Sequence, residues 1–482
     1  MNYNHILSNH NLQKVVNLSE IEQGMVIFRK LSLIFWRVKV RRLYNQSRYF
    51  EAQSLAKNKL HDKSESVFAR DIIVRSLYNL KDWGGVETFC LQYPSQRYEK
   101  YSSRARLKRI NKPNFVDVEP ERFSGKVWNK EDLLSNWHQE GNRLWLRHEN
   151  GWAYWIMPND FLLSKTHPSL LHLALQVLLS PWNPEVKKWE TSTMRTGKKL
   201  AVSYSGGIDS TAASFLLPED TILAYHKRDF ESMLTHDMAN LVFDKWESDM
   251  NRGVLIIPSN HERIRTHHGL QVGFSTSNAA GVHLILLADY LDLFGIAFGT
   301  PIDNTWLKAG SKYRDFSSSH YLEYWTKQFA KAGLEYVLPI NHISEAGAMA
   351  IVKQSPISDF VNSCLRGKSN RWCGKCWKCF HKNGPLGREI DPTSKEITTF
   401  LNSTPLRTAQ HALWALKKQN LEHLAPQLIP HIESDLSWWE KAYPKGLEII
   451  SEKLRDGVRE KTETYLSWME DPYRLESVDL DI

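Results

Sequence analysis

The middle of this 482-residue chain predicts a doubly wound α/β domain with a mostly parallel sheet. Three observations carry that reading. From Lys199 onward, short apolar runs alternate with stretches of helical spacing, the βαβ texture of a parallel sheet with helices on both faces. The first run ends in a Gly-Gly turn that opens straight into a helix. The texture on either side differs, so the chain divides into an α+β N-terminal domain over 1–190, the α/β domain over 191–385, and a helical C-terminal extension over 386–482.

Taken in order, helical spacing runs to about residue 80. The stretch 143–157 then alternates apolar and polar residues, and Asn150-Gly151 between its halves is a strong hairpin signal. Trp145, Trp152 and Trp155 are expected there as sheet-face packing rather than base-stacking platforms. Pro181-Trp-Asn-Pro184 punctuates the chain before a polar approach over 191–199. In the central domain, strands are expected at 200–204, 221–225, 254–257 and 296–299, and helices at 209–217, 231–250, 278–291 and 321–331. Beyond Pro385, Leu447, Ile450 and Leu454 are expected on one helical face, and Trp438-Trp439 reads as helix-packing core.

Composition narrows the class. With 42% hydrophobic and 24% charged residues and no low-complexity tract, the chain is a folded protein of two or three domains at roughly 150 residues each. The longest apolar stretches are broken by charges such as Arg29 and Lys30 and fall short of the ~20 residues that span a bilayer. No secretory pattern opens the sequence, so a cytoplasmic protein without membrane contact is expected. The net charge of +8 is uneven, with 20 basic and 9 acidic residues in the first 110. Arg37, Lys39, Arg41, Arg42, Arg104, Arg106, Lys108 and Arg109 are the densest clusters; they suit a nucleic acid or other anionic partner, or a solvated or protein-facing surface.

The first chemical signal is Ser205-Gly206-Gly207-Ile208-Asp209-Ser210, between an apolar strand and a helix. Two glycines let the backbone turn tightly around an anion, and the helix N-terminus adds unpaired N–H donors and partial positive charge. Ser205 and Ser210 offer hydroxyls to phosphate oxygens, and Asp209 can hold Mg2+ or cap the helix. The string lacks the Gly-Lys-Ser/Thr ending of Walker A and the three spaced glycines of the dinucleotide fingerprint.

The second signal is Cys364, Cys373, Cys376 and Cys379, spaced C-x8-C-x2-C-x2-C. Four thiolates with two C-x-x-C turns close a tetrahedral site, which fits structural Zn2+ and leaves no position for a reactive water. An iron–sulfur cluster uses the same ligands, so the spacing leaves both open. Cys90 stands apart and reads as a small buried apolar side chain.

The loop resembles the PP-loop motif, Ser-Gly-Gly-x-Asp-Ser, of the N-type ATP pyrophosphatases, which have a HUP-like fold. Together with the cysteine spacing, residues 198–385 resemble QueC, the 7-cyano-7-deazaguanine synthase family. Tyr225-His-Lys-Arg228 is similar to its Tyr-Gly-Gln-Arg stretch, and Gly299-Thr-Pro-Ile-Asp303 to its Gly-x-x-x-Asp turn. Asn362-Ser-Cys364 with Cys373-Gly-Lys-Cys-Trp-Lys-Cys379 resembles its zinc knuckle.

The resemblance implies ATP and Mg2+ at Ser205–Ser210, Zn2+ on the four cysteines, and adenylation of a deazaguanine-type carboxylate before amide or nitrile formation. It implies Arg228 and Asp303 near the substrate, and Lys312 and Arg314 are added as candidate phosphate or substrate contacts. Departures from the family stand at Ser277-Asn278, at Ser311-Lys-Tyr-Arg-Asp-Phe316 and at Ser344, so the acceptor is expected to differ. Longer QueC-like proteins of this layout occur in anti-phage systems such as Qat and some CBASS operons, which implies protein partners from the same operon. Two other readings remain: a tRNA-modifying PP-loop enzyme gripping RNA through the basic N-terminal region, and a non-catalytic ATP-binding sensor or scaffold.

Overall fold

A computed structural model describes residues 16–110, 126–189, 195–232, 234–368, 371–480 and 482. The chain divides at residue 110 into two compact units. The first is helical, with helices Val16–Asn45, Tyr49–Lys57, Ser66–Asn79, Trp83–Gln92 and Gln96–Ile110. Asp82 caps the fourth by accepting the Gly85 N–H at 2.9 Å. Val40, Ala56, Ile73 and Val86 are fully buried, and Cys90 packs with them as a small apolar side chain. Arg37 is paired with Glu65 and Arg109 with Glu87, while Arg41 and Lys108 lie over the rings of Phe68 and Trp83. Part of the basic excess therefore serves this unit's own packing.

The second unit is built on one eight-stranded sheet. Its strands are β1 (Trp137–Glu140), β2 (Arg143–His148), β3 (Gly151–Ile156), β4 (Lys199–Ser203), β5 (Ile222–Arg228), β6 (Val254–Ser259) and β7 (Leu293–Ala297). After β7 come β8 (Leu307–Lys308) and β9 (Lys312–Tyr313), a separate two-stranded ribbon, and then β10 (Glu335–Val337), which completes the large sheet. The order is β1-β2-β3-β6-β5-β4-β7-β10. Strands β4, β5, β6, β7 and β10 are parallel, and β1 to β3 form an antiparallel meander whose β3 meets β6 at Trp155 and Ser259.

The meander changes the expected domain division. It extends the parallel sheet, so the boundary placed at 190 falls inside one compact unit. The hairpin also differs in detail: His148 pairs with Gly151, so the two turn residues are Glu149 and Asn150. Gly151 is the first strand residue, and a Cβ there would stand 2.6 Å from the His267 ring. Alternation along β3 is as expected, with Trp155 fully buried and Trp152 half-buried.

Most central elements lie within a few residues of their expected positions. The helix expected from 231 is the exception, since it begins at Asp237; residue 233 lies outside the described residues. The helix expected over 278–291 is a 3-10 turn, Ser277–Gly281, leading into the short helix Val282–Leu286. Gly281 marks the close approach, for a Cβ there would lie 2.7 Å from the Phe298 ring.

Helix Ile208–Leu216 packs with Glu345–Lys353 and Glu452–Tyr465, while Pro168–Leu179 packs with Val282–Leu286 and His320–Lys331. Right-handed crossovers put such groups on opposite faces of a parallel sheet. The C-terminal residues belong to this unit: His342 Nε2 meets Thr462 Oγ1 at 2.9 Å, and Ser451 donates to Glu335 at 3.0 Å. Leu447, Ile450 and Leu454 are all buried but do not share one helix. Leu447 lies in the 3-10 turn Pro444–Ile449, Ile450 is extended, and only Leu454 is in Glu452–Tyr465. Trp438 and Trp439 are buried in a 3-10 turn.

Candidate functional site

In a parallel sheet of this order, the connections after β4 and β7 leave toward opposite faces, opening a crevice at the carboxyl ends of the strands. A cavity of about 320 Å3 lies there. Its walls come from the loop after β4, the ends of β5 and β7, and the segment just before Cys364. Ser205, Gly207, Asp209 and Ser210 line it together with Tyr225, Arg228 and Glu262.

The loop is tightly braced. Ser210 Oγ accepts the Ser205 N–H at 3.1 Å and lies 2.9 Å from Ser205 Oγ. Gly206 has φ +71°, a conformation favouring glycine, and a Cβ there would also meet Ala239 at 3.0 Å. Gly299, after β7, passes so close that a Cβ would lie 2.9 Å from the Ser210 Cα and N. Helix Ile208–Leu216 thus begins at the cavity wall, where its first-turn N–H groups lack intrahelical partners.

Beneath the loop is a buried charge cluster that sequence reading missed. Lys382 Nζ lies 2.6 Å from Asp209 Oδ1 and 3.0 Å from Glu345 Oε2. Burial works against a charged Lys382, but Asp209 and Glu345 outweigh it and hold the ammonium protonated. Asp303 is fully buried rather than in the cavity, and its Oδ2 accepts the Glu345 N–H at 2.8 Å. Burial, followed by the charge of Glu345, pushes its carboxyl well above the usual range. Glu345, His381 and His411 also converge, but Lys382 already sits on Glu345, and His411 Nε2 is engaged with the His381 carbonyl at 3.1 Å. A cation there would displace both contacts.

Arg228 does reach the cavity, where it pairs with buried Glu262 at 2.9 Å, and His226 Nε2 lies 3.0 Å from the same carboxylate. His236 receives the Arg228 N–H at 3.2 Å and also bonds the Tyr225 hydroxyl. Burial, then Arg228 and Lys227, lower its pKa to about 4, so the imidazole is neutral near pH 7. The two added candidate contacts, Lys312 and Arg314, lie elsewhere. Lys312 pairs with Asp479 at 2.8 Å on the ribbon, and Arg314 donates to the carbonyls of Thr305 and Asn304. Neither lines the cavity.

The four cysteines converge as their spacing implies. Their Sγ atoms all lie within 4.8 Å of one another, with Cys376 and Cys373 at 3.5 and 3.7 Å from Cys379. Four sulfurs at the ~2.3 Å Zn–S distance stand about 3.8 Å apart in a tetrahedron. The set therefore fits one ion such as zinc; cubane thiolates bind separate irons and stand farther apart. The Cys373 N–H donates to Cys364 Sγ at 3.3 Å and Asn383 Nδ2 to Cys379 Sγ at 3.4 Å, the outer contacts that orient metal-bound thiolates.

Lys382, Glu345 and Glu262 carry no motif of their own, and Ser363 stands in the Asn362-Ser-Cys364 stretch without a role assigned to it. For Lys382 the sequence cue was position, three residues after Cys379.

The model of a family of unknown function, DUF6395, matches residues 324–474. That stretch contains the cysteines, Glu345 and Lys382, but not the glycine loop. No curated protein and no solved structure matches the chain. Among the described residues, no helix is long and apolar enough to cross a membrane.

Proposed function

We propose that this chain is a QueC-like adenylating enzyme: it binds ATP at Ser205–Ser210 and transfers AMP to a deazaguanine-type carboxylate. An amine then displaces the AMP, or the activated group is joined to a macromolecule, in anti-phage defence with partners from the same operon. The observation that carries the proposal is the Ser-Gly-Gly-Ile-Asp-Ser loop, which opens a helix at the crevice where the parallel sheet reverses its order. Backbone N–H groups and the two serine hydroxyls would hold the β- and γ-phosphates as they leave, the preorganised electrostatic stabilisation that phosphoryl chemistry needs.

Arg228, fixed by Glu262, would orient the acceptor. Asp209 would hold Mg2+, which supplies charge neutralisation on the phosphates. The four cysteines supply a structural zinc site apart from the chemistry.

Asp209 is already paired with Lys382, which occupies part of the carboxylate that Mg2+ would use. That contact favours a second reading, a nucleotide sensor that binds ATP without turnover. Mass spectrometry of products decides between them, after incubation with Mg-ATP with and without 7-carboxy-7-deazaguanine and ammonium. AMP and pyrophosphate formed by the wild type and lost in Asp209→Ala, with metal content unchanged, support the enzyme. ATP binding with no AMP supports the sensor, and turnover retained by Asp209→Ala refutes the assigned role.

A further inference from the structure

We infer that Ser363 and Lys382 are positioning residues through which the four-cysteine site holds the phosphate loop in its binding conformation. This rests on the nucleotide reading above and extends it to residues outside the loop.

The first two residues of the loop helix are each gripped from a cysteine-bearing segment. The Ile208 N–H donates to Ser363 Oγ at 3.1 Å, and Ser363 directly precedes Cys364. Contact is close, since a Cβ on Gly207 would lie 3.1 Å from the same hydroxyl. Asp209 is held by Lys382 at 2.6 Å, and Lys382 lies in the π-helical turn Cys379–Asn383, which opens on a cysteine.

These two segments are also braced to each other. Asn362 and Asn383 face each other at 3.2 Å; Asn362 Oδ1 accepts the Cys364 N–H at 2.8 Å, and Asn383 Nδ2 donates to Cys379 Sγ. Arg388 closes the frame by donating to the Val361 carbonyl at 2.7 Å and to Asn383 Oδ1 at 3.0 Å.

An ion shared by Cys364 and Cys379 locks together the segments that carry Ser363 and Lys382. Without it, the four sulfurs add only weak S–H contacts, and the Asn362, Asn383 and Arg388 hydrogen bonds alone are left to keep the two grips on the helix start together. A helix whose first turn shifts no longer aims its N–H groups and dipole at a phosphate, an effect confined to its first turn. The site is therefore structural in chemistry and functional in consequence: its occupancy sets the affinity of the loop for phosphate.

The test compares ATP with AMP, which lacks the β- and γ-phosphates, by titration calorimetry on the full chain. Ser363→Ala keeps all four cysteines and is expected to bind ATP about tenfold more weakly, the loss of one hydrogen bond to the loop. Its AMP affinity should stay within about twofold and its metal content should be that of the wild type, while Ser363→Thr, which keeps the hydroxyl, should restore ATP binding. Protein stripped by a chelator should show the same selective loss, reversed by added zinc. Lys382→Met is expected to act in the same direction.

An ATP-to-AMP affinity ratio in Ser363→Ala equal to that of the wild type would overturn the inference. A wild type that binds ATP no more tightly than AMP would instead overturn the nucleotide reading and this inference with it.

Discussion

Gly299→Ala tests the packing that shapes the loop. The three atoms nearest a Cβ at this position are Ser210 Cα and N, both at 2.9 Å, and Asp209 C at 3.0 Å. All are backbone, so no side chain can rotate away, and either the β7 connection or the start of the loop helix must move by several tenths of an ångström. Overpacking of this kind costs about 1–3 kcal/mol. Every 1.4 kcal/mol that falls on the loop weakens phosphate binding about tenfold.

The assay pairs urea denaturation with ATP titration. Gly457→Ala serves as control, because a Cβ there meets nothing within 4 Å in helix Glu452–Tyr465. Replacing a mid-helix glycine stabilises by roughly 0.5–1 kcal/mol. The expected result is opposite signs: Gly299→Ala less stable and weaker for ATP, Gly457→Ala more stable and unchanged for ATP. A Gly299→Ala protein as stable as the wild type, with equal ATP affinity, would refute the close-approach argument.

Two further outcomes are expected. Cys376→Ser should lower bound metal, read by atomic emission, and reduce stability together with it, because metal binding and local folding are coupled; unchanged metal content would reject the four-cysteine assignment. Fully buried His283 and His411 are held neutral mainly by burial, with pKa values lowered to about 4, against 6.5 when unfolded. Between those values the unfolded chain takes up protons that the native state refuses, so stability should fall as pH drops from about 6.5 toward 4, by roughly 3 kcal/mol for each such histidine. Denaturation midpoints that stay constant across that window would contradict their neutral burial.

Local sequence revealed the chemistry-bearing features where each depends on a short contiguous string. Ser205–Ser210 declares a tight turn into a helix, because glycine backbone freedom and a helix start are local properties. The cysteine spacing likewise declares a ligand set, and β4 to β7 declare themselves by apolar runs between helices. Lys382 and Glu345 were illegible, and so was the reach of Ser363 to the loop, because nothing in a lone lysine or glutamate, or in a serine beside a cysteine, records what lies across the fold. Asp303 misled for the same reason: a turn resembling a substrate-binding one carried its carboxylate into the interior, onto the Glu345 N–H.

By itself, the sequence determined that there is an α/β sheet, a glycine loop at the end of its first parallel strand, and four cysteines with metal-ligand spacing. Periodicity, turn chemistry and ligand type act over a few residues. Only the tertiary structure decided that the N-terminal hairpin extends that same sheet, and that the C-terminal residues pack onto it. It also decided that the cysteine segments reach back to the loop through Ser363 and Lys382. Those arrangements are set by which buried surfaces and charges find partners across more than a hundred residues of chain, and no local pattern encodes them.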